Sequence, residues 1–131
     1  MPAFNFQKRF ADTVLDGSKH STIRVNRKDK RTPAAVGDIV KLYTGMRTKS
    51  CKKLRECEIT AVKRFMITRH IQNDGFEFTA YLDGLPLSEK DFHQLAIADG
   101  FKDAQGLIEF FTKTHGMPFS GWHISWEGLS A

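Results

Sequence analysis

The sequence predicts an α+β fold, namely a small and mostly antiparallel β-barrel of about six strands with about three flanking helices. Segments of alternating apolar and polar residues follow one another closely, and turn-forming residues join several of them. The helical segments are clustered rather than placed between successive strands, which is typical of an antiparallel sheet with helices at its side. At 131 residues, without a repeat or a low-complexity linker, the chain is expected to form one domain over residues 1–131.

The first elements are expected to be two short strands on either side of a helix. A strand is predicted over residues 3–6 and a helix over residues 7–15, where Phe10 and Val14 recur at helical spacing. A glycine then stops the helix, and residues 21–25 are predicted to form the next strand.

The middle of the chain is expected to contain an exposed loop and a basic hairpin. Residues 26–33 are polar or charged apart from a single proline, which favours a loop. Strands are predicted over residues 39–43 and 54–62, and they bracket a basic hairpin tip at residues 44–53.

The second half is expected to contain a hairpin, two helices and a last strand. Strands are predicted over residues 65–71 and 76–82, joined by an Asn-Asp-Gly turn. Ser88 and Asp103 are suitable N-caps for two helices, and residues 121–127 alternate as a final strand.

The charge of the chain is unevenly distributed. Residues 19–55 contain twelve Lys or Arg against two acidic residues, a net charge of +10, whereas residues 56–131 carry −5 and the whole chain +5. Such a block indicates an anionic partner, with a nucleic acid or a nucleotide favoured over a membrane surface. Solvated loops rich in lysine are the alternative. The nucleic-acid-binding candidates are Arg27, Lys28, Lys49, Lys52 and Lys53.

Composition limits the other partners. The chain has no long apolar run and no signal-peptide pattern, so we expect a cytoplasmic protein without a membrane partner. Cys51 and Cys57 have no metal-ligand spacing, so free thiols are expected, with neither a metal nor another cofactor. The sequence leaves the oligomeric state open, a monomer included.

The segment at residues 17–24 has the pattern Gly-x-Lys-x-x-Thr-x-Arg. In an extended strand Thr22 and Arg24 share one face, while Ile23 points to the core. Lys19 lies at the preceding turn and can reach over that face, which would combine a nucleophile, a base and an anion-binding group. The alternative is that these residues form no site. In that case Lys19 and Arg24 are solvated cations near a helix end, and Thr22 only reflects the β-propensity of threonine.

Three segments together resemble the ASCH domain, a member of the PUA-like superfamily. They are the pattern at residues 17–24, the Val-Gly-Asp-Ile-Val-Lys-Leu-Tyr segment at residues 36–43, and Asp99-Gly100-Phe101 before a helix. The resemblance covers roughly residues 4–111. It implies a small β-barrel, with a cleft floored by the first segment and a link to RNA or nucleosides.

Small bacterial members of that family resemble amidohydrolases that deacylate N(4)-acetylcytidine with a lysine, a threonine and a glutamate. Lys19 and Thr22 match the first two positions. The third position falls on Asp99, which is one methylene shorter than glutamate. The resemblance therefore implies that these three residues are catalytic.

The chemistry of these residues suits acyl transfer. Thr22 would attack the acyl carbonyl, neutral Lys19 would accept its proton, and Asp99 would orient Lys19 or pass the proton to the leaving amine. Arg24 or a backbone N–H would stabilise the oxyanion. Alternatively, Lys19 activates a water molecule that Thr22 positions.

Further substrate contacts are expected from Arg24, Tyr43, Arg47 and Trp122, although the two aromatic residues can equally belong to the core. None of the five histidines is spaced as a convincing general base. A non-catalytic RNA-binding module and a ribonuclease that uses the same cleft remain the alternative functions.

Overall fold

The computed structural model describes residues 3–25, 32–72 and 75–128. This part of the chain is mixed α+β, with three helices and seven strands. In chain order the elements are β1 (Ala3–Phe6), α1 (Lys8–Asp16), β2 (Ser21–Val25), β3 (Ile39–Thr44), β4 (Lys52–Gln72), β5 (Gly75–Leu82), β6 (Leu85–Pro86), α2 (Glu89–Ala98), α3 (Ala104–Thr114) and β7 (Phe119–Gly128).

The long strand β4 organises the sheet. Its first part pairs with β3 and its second part with β5, while β7 lies antiparallel along the other edge. Strand β2 pairs with β7, β6 pairs with β5, and β1 runs parallel to β3. Within the described strands β1 and β2 do not pair with each other, so the sheet stays open and the predicted barrel is not confirmed.

The two strands predicted over residues 54–62 and 65–71 are one strand of 21 residues, and β6 is a strand that was not predicted. Lys63 and Arg64, which lie between the predicted strands, continue the ladder with β7. The register against β7 shifts between Ile59 and Ala61, a β-bulge. Because of this bulge, Ile59 lies opposite Trp126, whereas Phe65 faces the other side of the sheet.

Both faces of the sheet are therefore packed. On one face, Phe6 contacts Trp126 edge to face, with ring centroids 5.8 Å apart. On the other, Phe119 lies 4.6 Å from Phe111 of α3 and 6.3 Å from Phe65. Burial of these aromatic side chains, together with the aliphatic residues of the core, favours folding.

The predicted helix caps are confirmed. The Ser88 hydroxyl accepts the Asp91 N–H at 3.1 Å, and the Asp103 carboxylate accepts the Gly106 N–H at 2.7 Å. Helix α1 ends at Gly17, whose φ of 87° is in the left-handed region.

The two cysteines are free thiols, as predicted. Cys57 is buried and Cys51 is exposed.

The predicted loop falls largely on residues 26–31, so Arg27 and Lys28 lie outside the described residues. Across residues 3–25, 32–72 and 75–128 there is no helix with the length and apolar character needed to cross a membrane.

Candidate active site

The buried polar and charged side chains of the described residues lie together. They are Lys19, Ser21, Thr22 and Asp99, each at most 5% exposed. Lysine and aspartate are almost never buried to this degree unless they are paired. A cluster of desolvated polar groups beside a cavity is a typical feature of an active site.

Lys19 is placed by the turn that follows α1. Its backbone N–H donates to the Thr13 carbonyl at 2.9 Å, and its Nζ donates to the backbone carbonyl of Asp99 at 2.6 Å. The amine also lies 5.1 Å from the ring centroid of Phe10. Burial lowers the pKa of Lys19 to about 8, a shift that the carboxylate of Asp99 opposes and the charge of Arg24 reinforces.

The Asp99 carboxylate is held from the sheet side. The Ser21 hydroxyl donates to its Oδ1, and His123 Nε2 lies 3.4 Å from the same oxygen without the direction of a hydrogen bond. Burial by itself would raise the pKa of Asp99, but His123, Lys19 and Ser21 together hold it below its ordinary value. The carboxylate is therefore ionised at neutral pH.

The pocket runs along the edge of β2 that is not paired with β7. Its lining includes the consecutive residues Thr22, Ile23, Arg24 and Val25, whose side chains alternate between the two faces of the strand. A cavity lined by both faces of one strand must lie at the strand's edge. The Thr22 hydroxyl makes no hydrogen bond to another residue of the described segments.

The backbone at this edge also faces the pocket. The Trp126 N–H donates to the His20 carbonyl at 3.0 Å, and only every second residue of an antiparallel strand bonds to a given neighbour. Thr22 and Arg24 therefore direct their backbone groups at β7. The N–H and C=O of Ile23 point away from β7 and towards the pocket.

The cavity has a volume of about 270 Å³ and is lined by aromatic side chains as well as by the polar residues. This volume is slightly below the range usual for small-molecule sites. The aromatic side chains are those of Phe6, Phe10, Phe101, Phe110 and Phe111.

Arg24 closes the gap between β2 and β1. Its guanidinium lies 4.9 Å from the ring centroids of both Phe4 and Phe6, and its Nη2 donates to the Asn5 carbonyl at 3.0 Å. Burial lowers the pKa of Arg24 to about 10, so the group remains charged at neutral pH. Its Nε is buried without a hydrogen-bond partner.

The structure brings Lys19, Thr22, Arg24 and Asp99 together around the pocket. The other predicted substrate contacts, Tyr43, Arg47 and Trp122, do not line it. Tyr43 lies half-buried on β3, beside Asn5 in the parallel ladder. Trp122 lies on β7, where the Arg64 guanidinium covers its ring at 5.3 Å.

The basic candidates lie on or beside the β3–β4 hairpin tip. Arg47, Lys49 and Lys52 are exposed there. Lys53 is exposed too, but its Nζ is 2.6 Å from a carboxylate oxygen of Glu56. Its charge is therefore balanced locally.

Sequence reasoning missed several polar residues of the site. The Ser21 hydroxyl donates to the Asp99 carboxylate and His123 lies 3.4 Å from it. The pocket is also lined by Asn5, Gln7, Thr114 and His115. Ser21 stands inside the Gly-x-Lys-x-x-Thr-x-Arg segment, so its polarity at a core-facing position was an available signal. His123 carried no such signal, because its role depends on the pairing of β7 with β2.

Comparison with known proteins returns no matching family model, no matching curated protein and no matching solved structure.

Proposed function

We propose that this chain is an ASCH-type amidohydrolase that removes the acyl group from an N-acylated cytidine or a related nucleoside. The observation that carries the proposal is the burial of Lys19, Thr22 and Asp99 together beside a pocket lined by aromatic side chains. Aromatic rings suit the faces of a nucleobase, and the polar residues of the pocket suit an amide that is to be cleaved.

In the proposed reaction Thr22 Oγ1 forms a bond to the acyl carbon, and its proton passes to the neutral amine of Lys19. The ammonium of Lys19 then protonates N(4) of cytidine as the C–N bond breaks. Water hydrolyses the acyl-threonine, with Lys19 again as the base. A pKa of about 8 for Lys19 supports this role, since a general base works best when its pKa is near the operating pH.

Asp99 has an orienting role in this proposal. Its backbone carbonyl accepts a hydrogen bond from Lys19, which leaves the lone pair of a neutral amine available. Its carboxylate is occupied by Ser21, so proton transfer to the leaving group is better assigned to Lys19. The reaction in which Lys19 activates water and Thr22 only positions it uses the same geometry.

The developing oxyanion has two candidate donors. The Ile23 N–H points towards the pocket, and the Arg24 guanidinium lines it. A backbone donor fixed by a strand suits a preorganised oxyanion hole. In this proposal the open sheet corresponds to the small barrel of the family. The gap between β1 and β2 is then bridged by the Arg24 side chain, which donates to the Asn5 carbonyl, rather than by hydrogen bonds between the two strands.

The decisive assay incubates purified protein with N(4)-acetylcytidine and, in parallel, with end-labelled RNA. We expect acetate and cytidine to be released and the RNA to stay intact. Thr22→Ala and Lys19→Ala should each remove most of the turnover, and the double variant should be little slower, because residues that act as a unit are not additive. Lys90→Ala, on the exposed side of α2, is the control and should retain full turnover.

Two results would redirect the proposal. RNA cleavage without acetate release would favour the ribonuclease. Binding of N(4)-acetylcytidine without any turnover would make the pocket a binding site of the PUA-like type, and the two alanine variants would then lower affinity only.

A further inference from the structure

Arg24 has more hydrogen-bonding capacity than its surroundings use. One terminal nitrogen donates to Asn5, whereas Nε is buried and unpartnered, and no carboxylate of the described residues forms an ion pair with the guanidinium. Asp99, the acidic residue of the pocket, is already held by Ser21. A partly buried cation whose Nε is fully buried, and which has no anionic partner in the described part of the chain, is costly to maintain, so this end of the pocket is suited to an anionic group of a ligand.

Asn5 joins this end of the pocket to the turn between β3 and β4, residues 45–51, which is called the tip below. Its backbone carbonyl accepts from Arg24, and its side-chain Oδ1 accepts the Met46 N–H at 3.0 Å. Arg47 follows Met46 directly and is exposed. One residue of the pocket lining therefore contacts both the Arg24 guanidinium and the start of the tip.

The tip is a tightly bonded turn. The Gly45 carbonyl accepts both the backbone N–H of Thr48 at 3.1 Å and its hydroxyl at 2.6 Å, and the same hydroxyl accepts the Ser50 N–H at 3.1 Å. A Cβ at Gly45 would lie 2.8 Å from the Ser50 carbonyl oxygen, so the two sides of the turn are in close contact. The cations of Arg47 and Lys49 are thus carried by an ordered turn.

We propose that the acylated cytidine is recognised with a phosphate attached, either as a mononucleotide or as a residue of RNA. The inference rests on the proposed deacylation for the identity of the base. Arg24 binds the phosphate nearest the base with its guanidinium fork, and Arg47 and Lys49 bind that phosphate from outside or the next one along a chain. The oxyanion is then left to the Ile23 N–H.

The test measures binding without turnover, in Thr22→Ala protein titrated calorimetrically at two salt concentrations. The ligands are N(4)-acetylcytidine, its 5′-monophosphate and a single-stranded trinucleotide with N(4)-acetylcytidine at its centre. We expect at least a tenfold higher affinity for a phosphate-bearing ligand, and this gain should fall with salt because phosphate neutralisation releases counterions. If the 5′-monophosphate already binds more tightly than the nucleoside, the ligand is a mononucleotide. If only the trinucleotide binds more tightly, the ligand is RNA.

Variants separate the two parts of the anion site. Arg24→Gln should remove the gain given by the nearest phosphate, and Arg47→Ala with Lys49→Ala should reduce the gain without unfolding the protein, because both side chains are exposed. Lys90→Ala removes a cation beside a separate cleft between β5 and the later helices, and it should keep the gain.

Equal affinity for the nucleoside and both phosphate-bearing ligands would overturn the inference, whatever the wild-type turnover. Wild-type protein that releases no acetate but still prefers the phosphate-bearing ligands would instead overturn the proposed deacylation and leave the anion site standing.

Discussion

Lys19 determines how the proposed activity depends on pH. A lysine acts as a base only in its neutral form, and its pKa of about 8 places that form within reach of ordinary conditions. We therefore expect kcat/KM for N(4)-acetylcytidine to rise with pH through about 8 and to level off above it.

The neighbours of Lys19 should move this titration in opposite directions. The charge of Arg24 lowers the pKa of Lys19, so Arg24→Gln should shift the rising limb to higher pH. The Asp99 carboxylate raises that pKa, so Asp99→Asn should shift the limb to lower pH while the backbone carbonyl that accepts from Lys19 is kept. A pH–rate profile that is flat from pH 6 to 10 would exclude Lys19 as the base.

Ser21 should matter through the carboxylate it holds. Removing its hydroxyl leaves a buried, ionised Asp99 short of a donor, at a cost of about 1.5–3 kcal/mol in the free energy of unfolding. Because the pKa of Asp99 lies below its ordinary 3.8, this stabilisation is present at neutral pH and is lost as the pH falls below that value.

Ser125→Ala is a matched control for Ser21→Ala. Ser125 lies directly opposite Ser21 in the β2–β7 ladder. Urea unfolding at pH 7 should separate the two variants, and NMR titration should show a raised pKa for Asp99 in Ser21→Ala alone. Equal stability of the two variants would mean that the hydroxyl of Ser21 does not hold the carboxylate.

At the scale of elements, the junction between α2 and the pocket depends on Gly100. Its φ is 97°, and a Cβ there would lie 2.9 Å from Phe10 Cδ1. Gly100→Ala should therefore combine backbone strain with overpacking, each worth roughly 1–3 kcal/mol, and it should displace the Asp99 carbonyl from Lys19.

Gly116 provides the comparison that separates these two effects. It also has a positive φ, 83°, but a Cβ there would meet no atom within 4 Å. Thermal unfolding and acetate release should therefore show a small loss of stability and normal turnover for Gly116→Ala, against a larger loss of both for Gly100→Ala. Similar results for the two variants would show that the contact with Phe10 is unimportant.

The elements that local chemistry determines were predictable from the sequence. Ser88 and Asp103 cap helices because a short polar side chain satisfies the N–H groups of the first turn, a contact made within three residues. The continuity of β4 could also have been predicted, because Lys63 and Arg64, which lie between the two predicted strands, are poor turn formers. The bulge beyond Ile59 could not be predicted, because it depends on the register between β4 and β7, which is far along the chain.

At the scale of the whole molecule, the site could be predicted only in part. Lys19, Thr22 and Arg24 fall within one short segment, so strand periodicity brings two of them to the same face. His123 reaches Asp99, and the phenylalanines of α3 reach the pocket, only through tertiary packing, which periodicity does not specify. Tyr43 and Trp122 have the right chemistry for stacking on a base, but neither side chain lines the cavity.

The pairing of β2 with β7 also bears on how the protein is made. Thr22 lies opposite Ile124, about a hundred positions later, and β2 has no other partner strand among the described elements. Contacts of such long sequence separation form late, since the loop between them must first be closed. On a ribosome, the strand that carries Thr22 and Arg24 would therefore wait unpaired until β7 emerges, and every shorter nascent chain would lack a working pocket.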